Sequence, residues 1–366
     1  MMKKLFCILL TGLLLLSAAA CGGGDAQDAA TEPPVSTEDP GSIVELETPD
    51  PDAVLPATLP PTDAPQDSAA PVSTPGSGSA RAPKEGDITQ NFPNYDTGAD
   101  ADYSYQSDEL RIAIKVIEDT AQTQVIYVAD IWIRNIHSFR TVFGNSKFGS
   151  GTEEPEKLVK RENAIFGVNG SYNQGLTLHA GEKFKSLREN KGWNSQAVCI
   201  IYRDGSMKTF QLGADRFNLD DEIKNGAWHG WQFGPILVRN YEISPYASKY
   251  HIGEKARNML GYYEPGHYVI VTCDAGTKKA KGMTETQMAA FMQSLGVKDA
   301  FNLDGGTSAV MVFMGEVINN PRPHVNDKGN LEEGRKLKDM LIFGEYDENG
   351  VSADLSTFTA SKFKGK

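Results

Sequence analysis

The chain of 366 residues is 40% hydrophobic and 23% charged, with a formal net charge of −12. That charge is concentrated: residues 22–90 carry 13 acidic and two basic side chains, leaving about −3 for residues 91–366. No region is basic enough to form a nucleic-acid footprint, so that class of function is set aside, and the acidity says little about the substrate.

The N-terminus reads as an export signal. Lys3 and Lys4 precede an apolar run, Leu5 to Leu16, which is too short to span a bilayer comfortably. Ser17-Ala18-Ala19-Ala20-Cys21 then resembles the lipobox of bacterial lipoproteins. That resemblance implies cleavage before Cys21, a lipid on Cys21 and a place on the extracytoplasmic face of a bacterial cell membrane. The alternatives are a secretory signal cut after Ala20 or an uncleaved anchor. Residues 1–20 are thus the expected signal peptide.

Residues 21–90 form an expected disordered tether. Residues 22–90 hold 12 of the 19 prolines and show no apolar periodicity beyond Ile43 to Leu46. Such a stretch buries too little apolar surface to offset the entropy of ordering it. Residues 91–366 contain no second proline-rich linker and are expected to form a single globular domain. A chain starting near Phe92 is expected to keep the full thermal stability.

Within that domain, Leu110 to Ile117 alternates apolar and polar residues and reads as a half-buried strand, with Thr123 to Ile133 as its neighbour. Ala164 to Val168 reads as a short strand ending at Asn169-Gly170. Gln196 to Tyr202 and Met207 to Leu212 flank Asp204-Gly205 as a hairpin. Ile236 to Glu242 reads as a strand and turn, and the continuous apolar run Tyr268 to Cys273 as a central strand. Thr284 can N-cap a helix to Leu295, with Gln287 completing a capping box and Gly296 stopping it. Ala300 to Leu303 reads as a strand ending at Asp304-Gly305-Gly306, followed by a hairpin around Met314-Gly315. The expected fold class is α+β, a mixed β-sheet with helices packed on it.

Apolar strands that stop at polar residues and glycines are good places for a site, because the strand fixes the backbone and glycine admits close approach. Three such ends occur, at Asn169-Gly170-Ser171-Tyr172, at Cys273-Asp274-Ala275-Gly276 and at Asn302-Leu303-Asp304-Gly305-Gly306-Thr307-Ser308. Each alone is ordinary turn chemistry. Together they resemble the phosphodiester glycosidase family. The signature is Phe301 to Ser308 after Gly282-Met283-Thr284 and the amphipathic helix. Asn169-Gly170 with Tyr172, Phe233-Gly234-Pro235, Arg257 before Gly261, Pro321-Arg322 and Gly334-Arg335 before Leu341-Ile342-Phe343 follow in the family's order. The resemblance covers about residues 105–345. Thr307 stands where the family often has a third glycine, Asn173 where it often has Phe, and Asp274-Ala275-Gly276 where it often has Asp-Gly-Arg, although Lys278, Lys279 and Lys281 lie nearby.

The resemblance implies hydrolysis of a sugar-1-phosphodiester at the anomeric carbon, on a carbohydrate or sugar-phosphate partner such as a wall polymer or exopolysaccharide. Positive charge develops on the sugar, so a carboxylate beneath it helps. Asp304 is the first candidate and Asp274 the second. Arg257 is the candidate clamp for the phosphate, since a guanidinium forks onto its oxygens. Asn169, Asn302 and Ser308 would orient the substrate, with Gly170 and Gly234 beside them, and Gly305 and Gly306 would offer N–H groups to an anion. His137, His179, His229, His251, His267 and His324 lack metal-ligand spacing, so neither a metal nor another cofactor is expected. In Trp228-His229-Gly230-Trp231 the indoles could stack on a sugar or pack in the core. Cys199 and Cys273 read as buried apolar side chains in preference to a disulfide. The competing functions are a non-catalytic glycan- or wall-binding lipoprotein on the same fold, and a related enzyme cutting on the phosphorus side.

Overall fold

The computed structural model describes residues 83–89, 91–149, 151–172, 175–188, 196–249, 253–321, 324–325, 331–332 and 334–346. They all fall in one compact unit, Ser77–Lys366. The signal peptide, Cys21 and the expected tether up to residue 82 lie outside the described residues, as do Asn173, His251 and Arg322.

Three sheets share one core. The largest has eight strands, ordered Tyr103–Gln106, Leu110–Asp119, Gln124–Ile133, His267–Cys273, Arg257–Glu264, Asp299–Asn302, Ile236–Arg239 and Glu242–Ile243. The second has five: Glu182–Lys185, Thr177–His179, Ala227–Phe233, Ala197–Tyr202 and Met207–Gln211. The third also has five: Glu316–Val317, Met311–Phe313, Phe166–Asn169, Asp339–Phe343 and Phe139–Phe143.

Strand alternation explains the arrangement. In Asp339–Phe343, Leu341 and Phe343 enter the central core while Met340 and Ile342 face outward. In Ala197–Tyr202, Ala197, Cys199 and Ile201 point to the centre and Val198, Ile200 and Tyr202 away from it. The outward faces are apolar too, and each is covered by one short helix. Met288, Ala289 and Met292 of helix Glu285–Ser294 cover the largest sheet at Met259 and Val271. Leu158 and Val159 of helix Pro155–Arg161 cover the third sheet, and Leu219 and Ile223 of helix Leu219–Lys224 cover the second.

The expectation of helices packed on sheet therefore holds only coarsely. The domain is mostly β-sheet with three α-helices. Every strand pair among the described residues is antiparallel, and there are several sheets, which corrects the single mixed sheet. The capping box at Thr284 and Gln287 is present as read. Cys199 and Cys273 are free and buried, and they belong to different clusters on opposite faces of sheet, which keeps them apart.

The tether boundary also moves. The Ile88 N–H donates to the Arg134 carbonyl at 3.0 Å, and the Ile136 N–H to the Gly86 carbonyl at 2.9 Å. Ile88 packs against the central core. Residues 86–88 thus belong to the domain, not to a linker ending at 90.

Candidate active site

Four strand termini meet at one end of the core. Phe166–Asn169 and Asp299–Asn302 end there, and Arg257–Glu264 and Asp339–Phe343 begin there. The registers place Asn169 opposite Met340 and Asn302 opposite Met259. Two of the expected strand ends are bonded directly to each other. The Asn169 Nδ2 donates to the Asp304 carbonyl at 2.6 Å, and the Asp304 N–H donates to the Gly170 carbonyl at 3.1 Å.

Asn169 is only 2% exposed. Its Oδ1 accepts from Asn258 Nδ2 and, at 3.2 Å, from the Val310 N–H. The Thr272 hydroxyl in turn donates to Asn258 Oδ1 at 2.5 Å. Asn169 therefore brackets the Asp304 loop.

Asp304 is half-buried. Burial raises its carboxyl above the usual range; the Ser308 hydroxyl, the Gly305 N–H and the charge of Arg335 act in the opposite sense. Arg335 donates through Nη1 to Ser308 Oγ at 3.3 Å and through Nη2 to the Tyr172 hydroxyl at 2.8 Å. Its guanidinium carbon lies 4.2 Å from the centre of the Tyr172 ring, and Lys338 Nζ lies 4.7 Å from the same point. Thr307 and Arg335 form part of the wall of a cavity of about 360 Å³, with Glu154, Glu156, Gly334 and Lys336 around it. Arg335 thus lines the cavity, and the Asp304 carboxyl lies close enough to feel its charge.

A second carboxyl underlies them. Asp339 is 1% exposed, and its Oδ2 accepts the Ser171 N–H at 2.9 Å and the Ser171 hydroxyl at 3.4 Å. Its Oδ1 has no hydrogen-bond partner among the described residues. A Cβ on Gly170 would come within 2.4 Å of Oδ2, so only glycine fits there. Burial pushes Asp339 up to about 7; the Asp304 charge adds to this, and the Ser171 and Tyr172 N–H groups oppose it. Asp339 is an acid opening a strand that is otherwise apolar, a pattern visible in the sequence.

Several of the expected residues have protein partners of their own. Arg257, 2% exposed, donates through Nε to the Met283 carbonyl at 3.1 Å and through Nη2 to the Gly253 carbonyl at 2.9 Å and Glu285 Oε1 at 3.1 Å. This buried ion pair ties its strand to the capped helix, whereas Arg335 lines the cavity. Asp274, 3% exposed, accepts from Asn319 Nδ2 at 2.9 Å and from the Asn320 N–H at 3.1 Å. Burial pushes it up to about 6, and it anchors the 319–320 turn, not a substrate.

Asn302 donates to the Gly234 carbonyl at 2.7 Å, so both brace neighbouring strands. The Gly306 N–H donates to the Ala256 carbonyl at 2.8 Å, and the Gly305 N–H serves the Asp304 carboxylate, leaving neither for an anion. Ser308 remains in the site. Trp231 is fully buried and Trp228 nearly so. His229 Nε2 lies 2.8 Å from the Phe139 carbonyl, and burial holds the ring neutral. All three are core residues. Among the described residues no three His, Cys, Asp or Glu side chains converge as a metal site.

Residues 158–343 match the phosphodiester glycosidase family, and the chain belongs to it. Asn169, Tyr172, Asp304, Ser308, Arg335 and Asp339 all lie within the matched stretch.

An uncharacterised SPbeta prophage-derived protein of Bacillus subtilis, YomE, is 28% identical over 189 residues, 48% of this chain and 28% of that one. Human N-acetylglucosamine-1-phosphodiester alpha-N-acetylglucosaminidase is 25% identical over 188 residues, 47% of this chain and 36% of that one. The chain thus spans about a third of the length of these relatives. The zebrafish enzyme's catalytic domain, in a form auto-inhibited by its pro-peptide, shares the fold. Its TM-score is 0.50 at 22% identity, over 66% of this chain and 86% of that one.

Proposed function

We propose that this protein is a surface-anchored hydrolase that cleaves a sugar-1-phosphodiester at the anomeric carbon, in a wall polymer or exopolysaccharide. The observation that carries the reading is Arg335, bonded to Ser308 and lining the cavity, with the Asp304 carboxyl near enough to feel its charge. The family and the N-acetylglucosamine-1-phosphodiester named in its relatives support the substrate class.

In this mechanism Arg335 holds the phosphate oxygens, and Asp304 stabilises the cation that develops at the anomeric carbon. Water adds to that carbon and loses a proton, the C–O bond to phosphate breaks, and the phosphate leaves with the bonding electron pair as a monoester, which takes up that proton through solvent. A phosphate leaving group is a weak base, so it needs a cationic partner more than a proton donor. Cys21 would tether the domain to the outer face of the membrane through its lipid.

The test is to incubate the purified chain with methyl N-acetylglucosamine-1-phosphate and identify both products. Free N-acetylglucosamine with methyl phosphate is the expected outcome. Sugar-1-phosphate with methanol would mean cleavage on the phosphorus side, and no turnover of any sugar-1-phosphodiester would overturn the reading.

A further inference from the structure

Tyr172 adopts a backbone φ of +58°, in the left-handed region that a residue with a Cβ occupies only at a conformational cost. Something must hold it there, and the buried Asp339 is placed to do so. Its carboxylate receives the N–H and the hydroxyl of Ser171, the residue before Tyr172, and the Tyr172 N–H also favours its charged form. Gly170, with no Cβ, lets that carboxylate come directly under the turn. The turn presents the Tyr172 ring and hydroxyl outward, and both are engaged by Arg335, the ring face by stacking and the oxygen by a hydrogen bond.

Arg335 has no carboxylate in direct ion-pair contact among the described residues; the Ser308 hydroxyl stands between it and Asp304. Lys338 brings a second positive charge to the same ring. Two cations gathered on one aromatic platform, with the nearer carboxylate held off behind a hydroxyl, make a seat for an anion. A flexible arginine loses rotamer freedom when it binds, and fixing it beforehand on a rigid ring reduces that loss.

We propose that Tyr172 and Asp339 are positioning residues: Asp339 braces the Gly170–Tyr172 turn, and Tyr172 fixes the Arg335 guanidinium in the pose that receives the phosphate of the substrate. The inference rests on the phosphodiester reading of this site but can be decided without turnover. The charged and titratable groups near the platform are Asp304 from the neighbouring loop, Asp339 beneath it, Arg335 and Lys338 from the segment before strand Asp339–Phe343, and, across the cavity from Arg335, Glu154 with its partner Lys336, and Glu156.

The experiment is a calorimetric titration of the purified chain with inorganic phosphate, run on a double-mutant cycle of Tyr172→Phe and Arg335→Ala. Tyr172→Phe keeps the ring and removes only the hydroxyl that accepts from Arg335, so the fold is retained. Phosphate affinity should fall about three- to tenfold, the size of one lost orienting hydrogen bond. In the Arg335→Ala background the same change should have no effect, because Tyr172 acts through Arg335.

Asp339→Ala should weaken phosphate to at least the same degree, and Asp339→Asn, which keeps an acceptor under the turn, should restore most of the affinity. With a turned-over phosphodiester, Tyr172→Phe should raise KM more than it lowers kcat. Equal effects of Tyr172→Phe in both backgrounds, or no phosphate binding by the unaltered chain, would overturn the proposal. Phosphate binding that follows the predicted cycle in a chain that cleaves no sugar-1-phosphodiester would uphold the seat and sink the catalytic reading instead.

Discussion

Replacing Asp339 by Asn separates the electrostatic cost of this residue from its shape. The carboxyl is fully buried, and its pKa moves from an ordinary 3.8 to about 7. Between those values the folded chain keeps a proton that the unfolded chain releases, so Asp339 withdraws stability as pH rises from about 4 to 7 and no further above that. Each unit is about 1.4 kcal/mol, so from pH 5 to pH 8 the loss is about 3 kcal/mol. Asn mimics the protonated form at every pH and removes this loss.

Other buried groups titrate as well. His179, pushed down to about 4 by burial, and His229, also held neutral, gain stability for the fold as pH rises through the same interval, and Asp274, pushed up to about 6, loses it. All three are common to both proteins, so the difference between them isolates Asp339. Urea unfolding of the unaltered chain and of Asp339→Asn at pH 5, 6, 7 and 8 should show the Asn variant gaining steadily on the unaltered chain. From pH 5 to pH 8 its relative stability should rise by about 3 kcal/mol. A difference that stays constant across the four pH values would refute the reasoning, since it would mean that Asp339 is already ionised in the fold at pH 5.

Asp304→Asn should lower turnover of a sugar-1-phosphodiester by about a hundredfold or more, read as released sugar, while phosphate still binds; an unchanged rate would remove Asp304 from the chemistry. Arg257→Ala should cost about 3–5 kcal/mol of unfolding free energy by leaving Glu285 buried without its partner. A loss of kcat at unchanged stability would instead return Arg257 to the site. A chain starting at Phe92 should melt below one starting at residue 83, because it lacks the Gly86 and Ile88 backbone bonds and the Ile88 contact with the core. Equal midpoints would restore the tether boundary at 90. Cys21→Ala should shift the protein from the membrane fraction to the medium or stall its processing, and a processed variant that stays membrane-bound would end the lipoprotein reading.

The elements that could be read directly were those with local causes. The Asp204-Gly205 hairpin, the capped helix at Thr284 and the turn at Met314-Gly315 all depend on neighbours within a few residues. The strands Phe139–Phe143, Thr177–His179 and Arg257–Glu264 escaped notice. Arg257–Glu264 mixes Arg, Asn, Gly and Tyr, and its first six residues are buried all the same, because each polar group is satisfied by a partner distant in sequence.

The convergence at the site had the same division. The sequence by itself marked where chemistry could sit, because glycines and short polar residues at the ends of apolar strands are required by backbone geometry whatever the neighbours. It thereby identified Asn169-Gly170 and Asp304 to Ser308, and with them the family. Which charged side chain faces the cavity was decided by tertiary structure alone. Arg257 and Arg335 are equally good phosphate ligands as residue types. Arg257 meets Glu285, 28 residues on, and is consumed by it, whereas Arg335 meets Tyr172, 163 residues earlier, and is presented beside the cavity. The same holds for Asp274, taken by Asn319, and for Asp339, whose place under Gly170 arises only when strands Phe166–Asn169 and Asp339–Phe343 pair. A side chain's charge is local, but the partner that satisfies it or leaves it available is set by which strands lie side by side.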